Sequence, residues 1–337
     1  MLNYRDKLHE ELKHLQTFDR RSVMISTTAK HALDFRILPR RILNNMAISC
    51  FMINNEDLLI ETLSFFDGKV DHIFIDIEQK QSINLYETAR KQIKYSHLNT
   101  VKPNDSTLES ADLLIRNQFN DELYNKVVIV IGTGNLASKL AMRLAERQAS
   151  VYMLGRNEKK TKAIITGLNL ILPKYSRSIK QYNDLCFDDN LDLVVSFLSG
   201  QFAEEDKIVP FIKQQTVIID GGINNFSSNF IQQMLDQDTN IIRLDTRIAL
   251  PYQMLLQDSY TQSFFCEILG KKEINDEIIV SGGFVGSEGA VIVDNIKKPN
   301  QIIGIADGKG GVKENEQLNR ADRYRIHKIE QEISKKY

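Results

Sequence analysis

Through the middle of the chain, short apolar runs alternate with amphipathic stretches. Apolar runs occur at 127–131, 150–154, 191–198 and 216–219, and a further one at 241–244. Between them, residues 137–147, 158–168 and 203–213 repeat their apolar positions at helical spacing. Strands buried on both faces read as continuous apolar runs, and strands alternating with helices build a parallel sheet. The pattern predicts a doubly wound α/β domain.

The same alternation, less regular, precedes it. A solvated helix is expected at 3–18, strands at 22–26, 47–53 and 70–77, and helices at 83–95 and 106–118. Beyond Pro251 a single long helix is expected over 252–269, ending at Gly270 as a C-cap. Short β-like runs at 278–280, 290–293 and 302–305 then suggest a β-meander, and a charged helix at 314–335 closes the chain. Three regions follow: an N-terminal α/β substrate domain at 1–110, a central nucleotide-binding domain at 111–250, and an extension at 251–337.

Composition narrows the possible partners. The 337 residues are 42% hydrophobic and 26% charged, with a formal net charge of -1 and the two signs mixed along the chain. Such a chain has no field to attract nucleic acid or an anionic membrane. No run reaches the ~18 apolar residues of a membrane span, and the first twenty residues lack the apolar core of a signal peptide. A cytoplasmic location is expected. Cys50, Cys186 and Cys266 form no cluster, so three reduced, buried thiols and no metal site are expected.

The chemistry begins where the first central strand ends. Gly132-Thr133-Gly134-Asn135-Leu136-Ala137 fits strand, then GxGxxA, then helix. Gly132 permits a tight turn, Gly134 lets backbone approach a pyrophosphate, and Ala137 is small enough for the helix to pack on the strand. The free N–H groups and dipole of the helix would hold the phosphates. The motif is a weak signal alone and a stronger one in this strand–helix context. It makes the central domain a Rossmann domain. An NAD site would place Asp or Glu at the end of the next strand. Here that position reads Gly155-Arg156-Asn157, with Lys160 one turn on. A guanidinium can fork onto a 2′-phosphate, so NADP is the expected cofactor. Ser199-Gly200 and Gly221-Gly222 follow later strands, where ligands of open α/β sheets lie; they read either as flanking the nicotinamide or as turn glycines with no ligand.

Taken in order, these segments resemble the shikimate/quinate dehydrogenase family, within a wider group that includes methylenetetrahydrofolate dehydrogenase and glutamyl-tRNA reductase. The resemblance spans about residues 22–270. Gly155-Arg156-Asn157 is similar to the family's Asn-Arg-Thr turn, which binds the NADP phosphate. The segment Ile73-Phe-Ile-Asp-Ile-Glu-Gln-Lys80 resembles a strand ending in Pro-His-Lys, which implies Lys80 as the catalytic lysine. Asn104-Asp105 is similar to Asn-Thr-Asp-Gly, which implies Asp105 as its partner. Ser26 and Thr28 resemble the Ser-x-Ser that holds a substrate carboxylate. The family's substrate-binding glutamine aligns with Tyr260, close to Gln262. Asp220-Gly-Gly-Ile-Asn224 is closer to a turn of the methylenetetrahydrofolate enzymes. Proline and histidine are missing before Lys80, Ser106 replaces the glycine after Asp105, and the Gly-rich tail has no counterpart.

The expected chemistry is hydride transfer between NADPH and a small polar, carboxylated hydroxy or keto compound, with Lys80 as acid or base and Asp105 orienting it. Asp105 also reads as a helix N-cap, and Ser106-x-x-Glu109 as a capping box. His31 is a lone histidine, more often structural than functional. Two other readings stand: reduction of an acyl or imine substrate, whose thioester route has only Cys50 to offer, and a non-catalytic NADPH-binding regulator. The loops at 281–286 and 307–311 suggest a lid or a homodimer contact, with turn glycines in a meander as the simpler account.

Overall fold

The computed structural model describes residues 3–28, 33–43, 45–186, 190–282 and 285–334. They form two compact units, Met1–Pro251 and Tyr252–Tyr337.

The first unit opens with α1 (Tyr4–Leu15), β1 (Arg20–Ser26), β2 (Phe35–Leu43), β3 (Met46–Ile53), α2 (Glu56–Phe66), β4 (His72–Asp76), α3 (Leu85–Gln92) and β5 (His97–Val101). The strands lie in the order β2-β3-β1-β4-β5. Edge strand β2 is antiparallel to β3; the other neighbours are parallel. Val23, Ile25, Phe51, Ile73 and Ile75 pack with Phe66 in the core of this layer. Helix α1 is tied down through Glu11, whose carboxylate accepts from Arg40 at 2.9 and 2.8 Å and from the Ser49 hydroxyl at 2.6 Å. Burial pushes the Glu11 carboxyl up, but these donors outweigh it and hold it below its ordinary range.

The chain crosses to the second sheet through α4 (Pro103–Gln118). There follow β6 (Val127–Ile131), α5 (Asn135–Glu146), β7 (Ser150–Leu154), α6 (Glu158–Ile171), β8 (Lys180–Gln181), β9 (Leu193–Ser196), β10 (Val217–Asp220), α7 (Ser228–Asp236) and β11 (Asn240–Arg243). The order β11-β10-β9-β6-β7-β8 is parallel throughout. Counted from β6 it is the 3-2-1-4-5-6 arrangement of the dinucleotide-binding Rossmann fold, with its switch point between β6 and β9. Val128, Val130 and Val195 face one core with Leu140 and Leu144 of α5; Leu108, Ala111 and Ile115 of α4 join them. Ile129, Ile131 and Ile218 face the other, with Phe226 and Phe230. Between α4 and α5 runs a ladder of ion pairs: Asp105–Lys139 at 3.2 Å, Glu109–Arg143 at 2.5 Å and Asp112–Arg147 at 2.9 Å.

After α8 (Leu250–Leu256) and α9 (Ser259–Ile268) come β12 (Lys271–Ile274), β13 (Glu277–Ser281), β14 (Val291–Val293), β15 (Ile302–Ile305) and α10 (Arg320–Ser334). These strands form a sheet in sequence order, and Ile329 of α10 packs on Ile279, Val291 and Ile305. The C-terminal strand region is therefore present. Its middle pair, β13–β14, is parallel, so the chain crosses over there instead of turning back as a meander would.

Three expectations for helices are corrected. Residues 203–213 hold two short 3₁₀ turns, Glu205–Lys207 and Val209–Phe211, because Pro210 interrupts the α-helical ladder. The long helix at 252–269 is broken at Asp258, whose carboxylate caps α9 by accepting from the Tyr260 N–H at 3.0 Å. Helix α4 starts two residues before Asp105, at Pro103 with Lys102 as N-cap, so neither an Asp105 cap nor the Ser106–Glu109 capping box forms. Among the described residues, no helix is long and apolar enough to cross a membrane.

Candidate functional site

The β6–α5 turn carries the marks of a phosphate cradle. Gly132 has φ +128°, and a Cβ there would lie 2.6 Å from the Phe197 carbonyl oxygen and 3.3 Å from the Ala137 methyl. Only glycine fits, and Ala137 is small because this approach is close. Gly134 differs: a Cβ there would meet nothing within 4 Å. Gly134 is the N-cap of α5, and among the described residues no side chain caps that helix, so its first N–H groups have no side-chain acceptor there.

The β7–α6 turn sits directly beside it. A Cβ on Gly155 would lie 2.5 Å from both the Thr133 methyl and the Thr161 hydroxyl, so the two turns are in contact through this glycine. Arg156 follows, exposed and without an ion pair among the described residues. Asn157 has a structural task, capping α6 by accepting from the Lys160 N–H at 2.9 Å. Lys160 is exposed on the first turn of that helix.

A cleft of about 1320 Å³ opens at the carboxyl ends of the strands of both sheets. Ser26 and Thr28 at the end of β1, Ser199-Gly200-Gln201 after β9, and Gly221-Gly222-Ile223-Asn224 after β10 share its lining. The structure thus gathers the expected substrate and nicotinamide loops of the first unit in one space. The order of the two Rossmann loops depends on Asn225, which the sequence did not single out. Its buried amide accepts from Ser196 Oγ at 2.8 Å and the Leu198 N–H at 3.0 Å, and donates to the Leu198 and Gly200 carbonyls at 3.0 Å. A Cβ on Gly222 would collide with that amide at 2.4 Å, and one on Gly221 with the Phe197 ring at 2.4 Å. Packing alone therefore requires both glycines.

The expected Lys80–Asp105 pair does not form. Lys80 Nζ lies 2.9 Å from Glu78 and 3.4 Å from Asp76, and Lys80 is outside the cleft lining. Asp105 binds Lys102 at 2.6 Å and Lys139 at 3.2 Å, and the Lys102 hydrogen bond is the main reason its carboxyl is held below the ordinary range. Each group takes the opposite charges closest along its own element or on the facing helix. The group missed in the sequence is Asp76, fully buried at the end of β4. Burial raises its pKa, while Lys80 and the N–H groups of Glu78 and Thr27 partly offset the rise. An acid at the inner end of an apolar strand was the available signal.

The remaining expectations divide. Cys50 lines the cleft, and burial pushes its thiol up to about 12, against the opposing pull of Arg247 and Arg41. Cys186 and Cys266 are exposed, contrary to the expectation of three buried thiols. Tyr260 and Gln262 lie on α9 in the second unit, Tyr260 exposed and Gln262 donating to the Leu256 carbonyl at 2.6 Å. His31 and part of the 281–286 loop fall outside the described residues. No cluster of metal-binding side chains occurs among the described ones.

No protein-family model matches the sequence, and no curated protein matches it. Solved structures show weak likenesses. A shikimate dehydrogenase in complex with NADP+ is 13% identical, over 66% of this chain and 84% of its own, with a TM-score of 0.38. L-Tryptophan dehydrogenase from Nostoc punctiforme is 15% identical over 73% and 77%, with a TM-score of 0.42. The dipicolinate synthase A chain from Bacillus subtilis is 12% identical over 74% and 98%, with a TM-score of 0.38. No activity passes from such distant likenesses to this chain.

Proposed function

We propose that the chain is an NADPH-dependent oxidoreductase acting on a small polar, carboxylated hydroxy or keto compound. One observation carries the cofactor: Arg156, a guanidinium without an ion pair among the described residues, stands at the end of β7 where an NAD site would place an acid, one residue from the contact between the two turns. The open space over Gly134 and the uncapped start of α5 fit a pyrophosphate. When bound, NADPH supplies a hydride.

In this reading the loop Gly132–Ala137 receives the pyrophosphate, with Thr133, Asn135 and Leu136 contributing backbone, and Arg156 with Lys160 pairs with the 2′-phosphate. Ser199, Gly200, Gly221 and Gly222 flank the reacting ring, and Ser26 and Thr28 hold the substrate carboxylate. Lys80 is not retained as the proton source, because Glu78 and Asp76 hold it outside the cleft that takes the substrate and the ring. The thioester route loses support, because a thiol titrating near 12 gives almost no thiolate at neutral pH.

The chain has no tryptophan, so NADPH fluorescence can be read directly on a titration. NADPH should bind at least tenfold more tightly than NADH. Arg156→Ala should weaken NADPH roughly 10- to 150-fold, the worth of a charged hydrogen bond, and leave NADH nearly unchanged. Equal affinity of the wild type for both cofactors, or for neither, would refute the reading.

A further inference from the structure

The cleft holds more positive charge than its own acids balance. Arg36 and Arg41 enter it from β2, Arg243 from the end of β11 and Arg247 from the loop beyond; Asp245 is the acid among the described lining residues. Both Arg41 and Arg247 draw on that one carboxylate: Arg41 contacts it directly, and Arg247 lies 3.2 Å away. Arginine cannot shed its proton to relieve the imbalance. Burial and mutual repulsion make the charged form of Arg41 less favourable, and burial does the same to Arg247.

Two further atoms are left wanting. Among the described residues, the buried Arg247 Nε–H has no acceptor and the buried Thr27 hydroxyl, also in the cleft lining, has no partner. At the rim, Arg36 and Arg243 are exposed and make no ion pair among the described residues.

We infer that the cleft takes a small molecule bearing two oxyanion groups, one held by Arg41 and Arg247 and the other by Arg36 and Arg243. This deepens the reading of the cleft as a substrate site by adding a second anionic group. The site is separate from the one assigned to the cofactor's 2′-phosphate. Arg243 ends β11 and Arg156 follows β7, four strand positions apart in the sheet, or about 19 Å at the usual spacing. A phosphate and a carboxylate share the required chemistry, since both accept a guanidinium fork.

Thermal unfolding of the full chain in low-chloride buffer tests this, with 2-phosphoglycolate and succinate as probes and acetate as the single-charge control. Either dianion should raise the midpoint in a saturable way, since binding to the native state stabilises it. The stronger of the two tells phosphate from carboxylate. Acetate should do nothing comparable. Arg243→Gln, at the exposed rim, and Arg247→Gln should each weaken the dianion roughly tenfold or more, while Arg156→Ala leaves it unchanged. Asp245→Asn removes the competing carboxylate; it should lower the midpoint without dianion and enlarge the dianion's effect, which a merely structural clamp would not do. No shift with either dianion, an equal shift with acetate, or an undiminished shift in Arg243→Gln would overturn the inference. NADPH titration of the same variants reads the cofactor assignment independently, so failure of one is not failure of the other.

Discussion

Two glycines of one loop should fail in opposite ways when each becomes alanine. At Gly132 the backbone has φ +128°, a region open essentially to glycine, and the new methyl would lie 2.6 Å from a backbone oxygen that cannot swing aside. Strain of that kind costs ~1–3 kcal/mol and overpacking a similar amount, so Gly132→Ala should destabilise by roughly 2–5 kcal/mol. With a urea slope of ~2–3 kcal/mol/M, the midpoint should fall by about 1–2 M. At Gly134 the φ is −87° and nothing lies within 4 Å, so an alanine is accommodated without collision. Loss of a good N-cap residue and the smaller entropy of the unfolded chain offset one another, leaving stability within ~1 kcal/mol. On the proposed reading the methyl would occupy the space of the pyrophosphate, and losing even one charged hydrogen bond weakens NADPH about 10- to 150-fold. Urea unfolding with NADPH titration separates the two effects. If Gly134→Ala unfolds as early as Gly132→Ala and still binds NADPH normally, the loop is an ordinary tight turn and the cradle argument is wrong.

Other outcomes follow from single contacts. Lys80→Ala should be destabilised near neutral pH because it strips Asp76 of the cation that offsets burial. Asp76 already titrates above its ordinary value, so it favours folding most when protonated and loses that contribution as pH rises through its folded pKa. The variant's deficit should therefore shrink as pH falls through that pKa in urea melts; a deficit constant with pH would contradict the pairing. Asn225→Ala should cost ~2–5 kcal/mol, since it orphans the Ser196 hydroxyl and three backbone groups together. A change below ~1 kcal/mol in the urea midpoint would show that solvent replaces those bonds. A thiol-reactive chromophore at pH 8 should label exposed Cys186 and Cys266 in the native protein and Cys50 only after denaturation. Prompt native labelling of Cys50 would restore it as a nucleophile.

What could be read from the sequence tracks how deeply each element is buried. Strands β6 and β7 were placed to the residue because central parallel strands are apolar on both faces, as Val127–Ile131 is. Edge strand β2, with Pro39 and its arginines, and β5, with His97, Asn99 and Thr100, lack that signature and were missed. This had consequences at the site. Arg36 and Arg41 line the cleft because β2 is a strand, and Arg243 and Arg247 because the end of β11 borders the same cleft, neither of which the apolar pattern shows. The β6–α5 turn was legible in part because Gly132, at φ +128°, sits in a region open essentially to glycine, whereas no such geometry fixes Gly134. The Lys80–Asp105 pair was not, because a charged side chain chooses among several partners and the chain order does not rank them. Lys139, thirty-four residues from Asp105, settled that choice.

The ladder between α4 and α5 also fixes which parts move together. Helix α4 follows the last strand of the first sheet, yet its apolar face packs with the second and three ion pairs bind it there. By its packing it belongs with the second sheet. The chain passes from the first sheet to this helix at the Lys102–Pro103 link, where the proline ring fixes φ. Arg41 of β2 and Asp245 beyond β11 make a second link between the two sheets, within the cleft that both line. An anion that takes Arg41 from Asp245 would break that link.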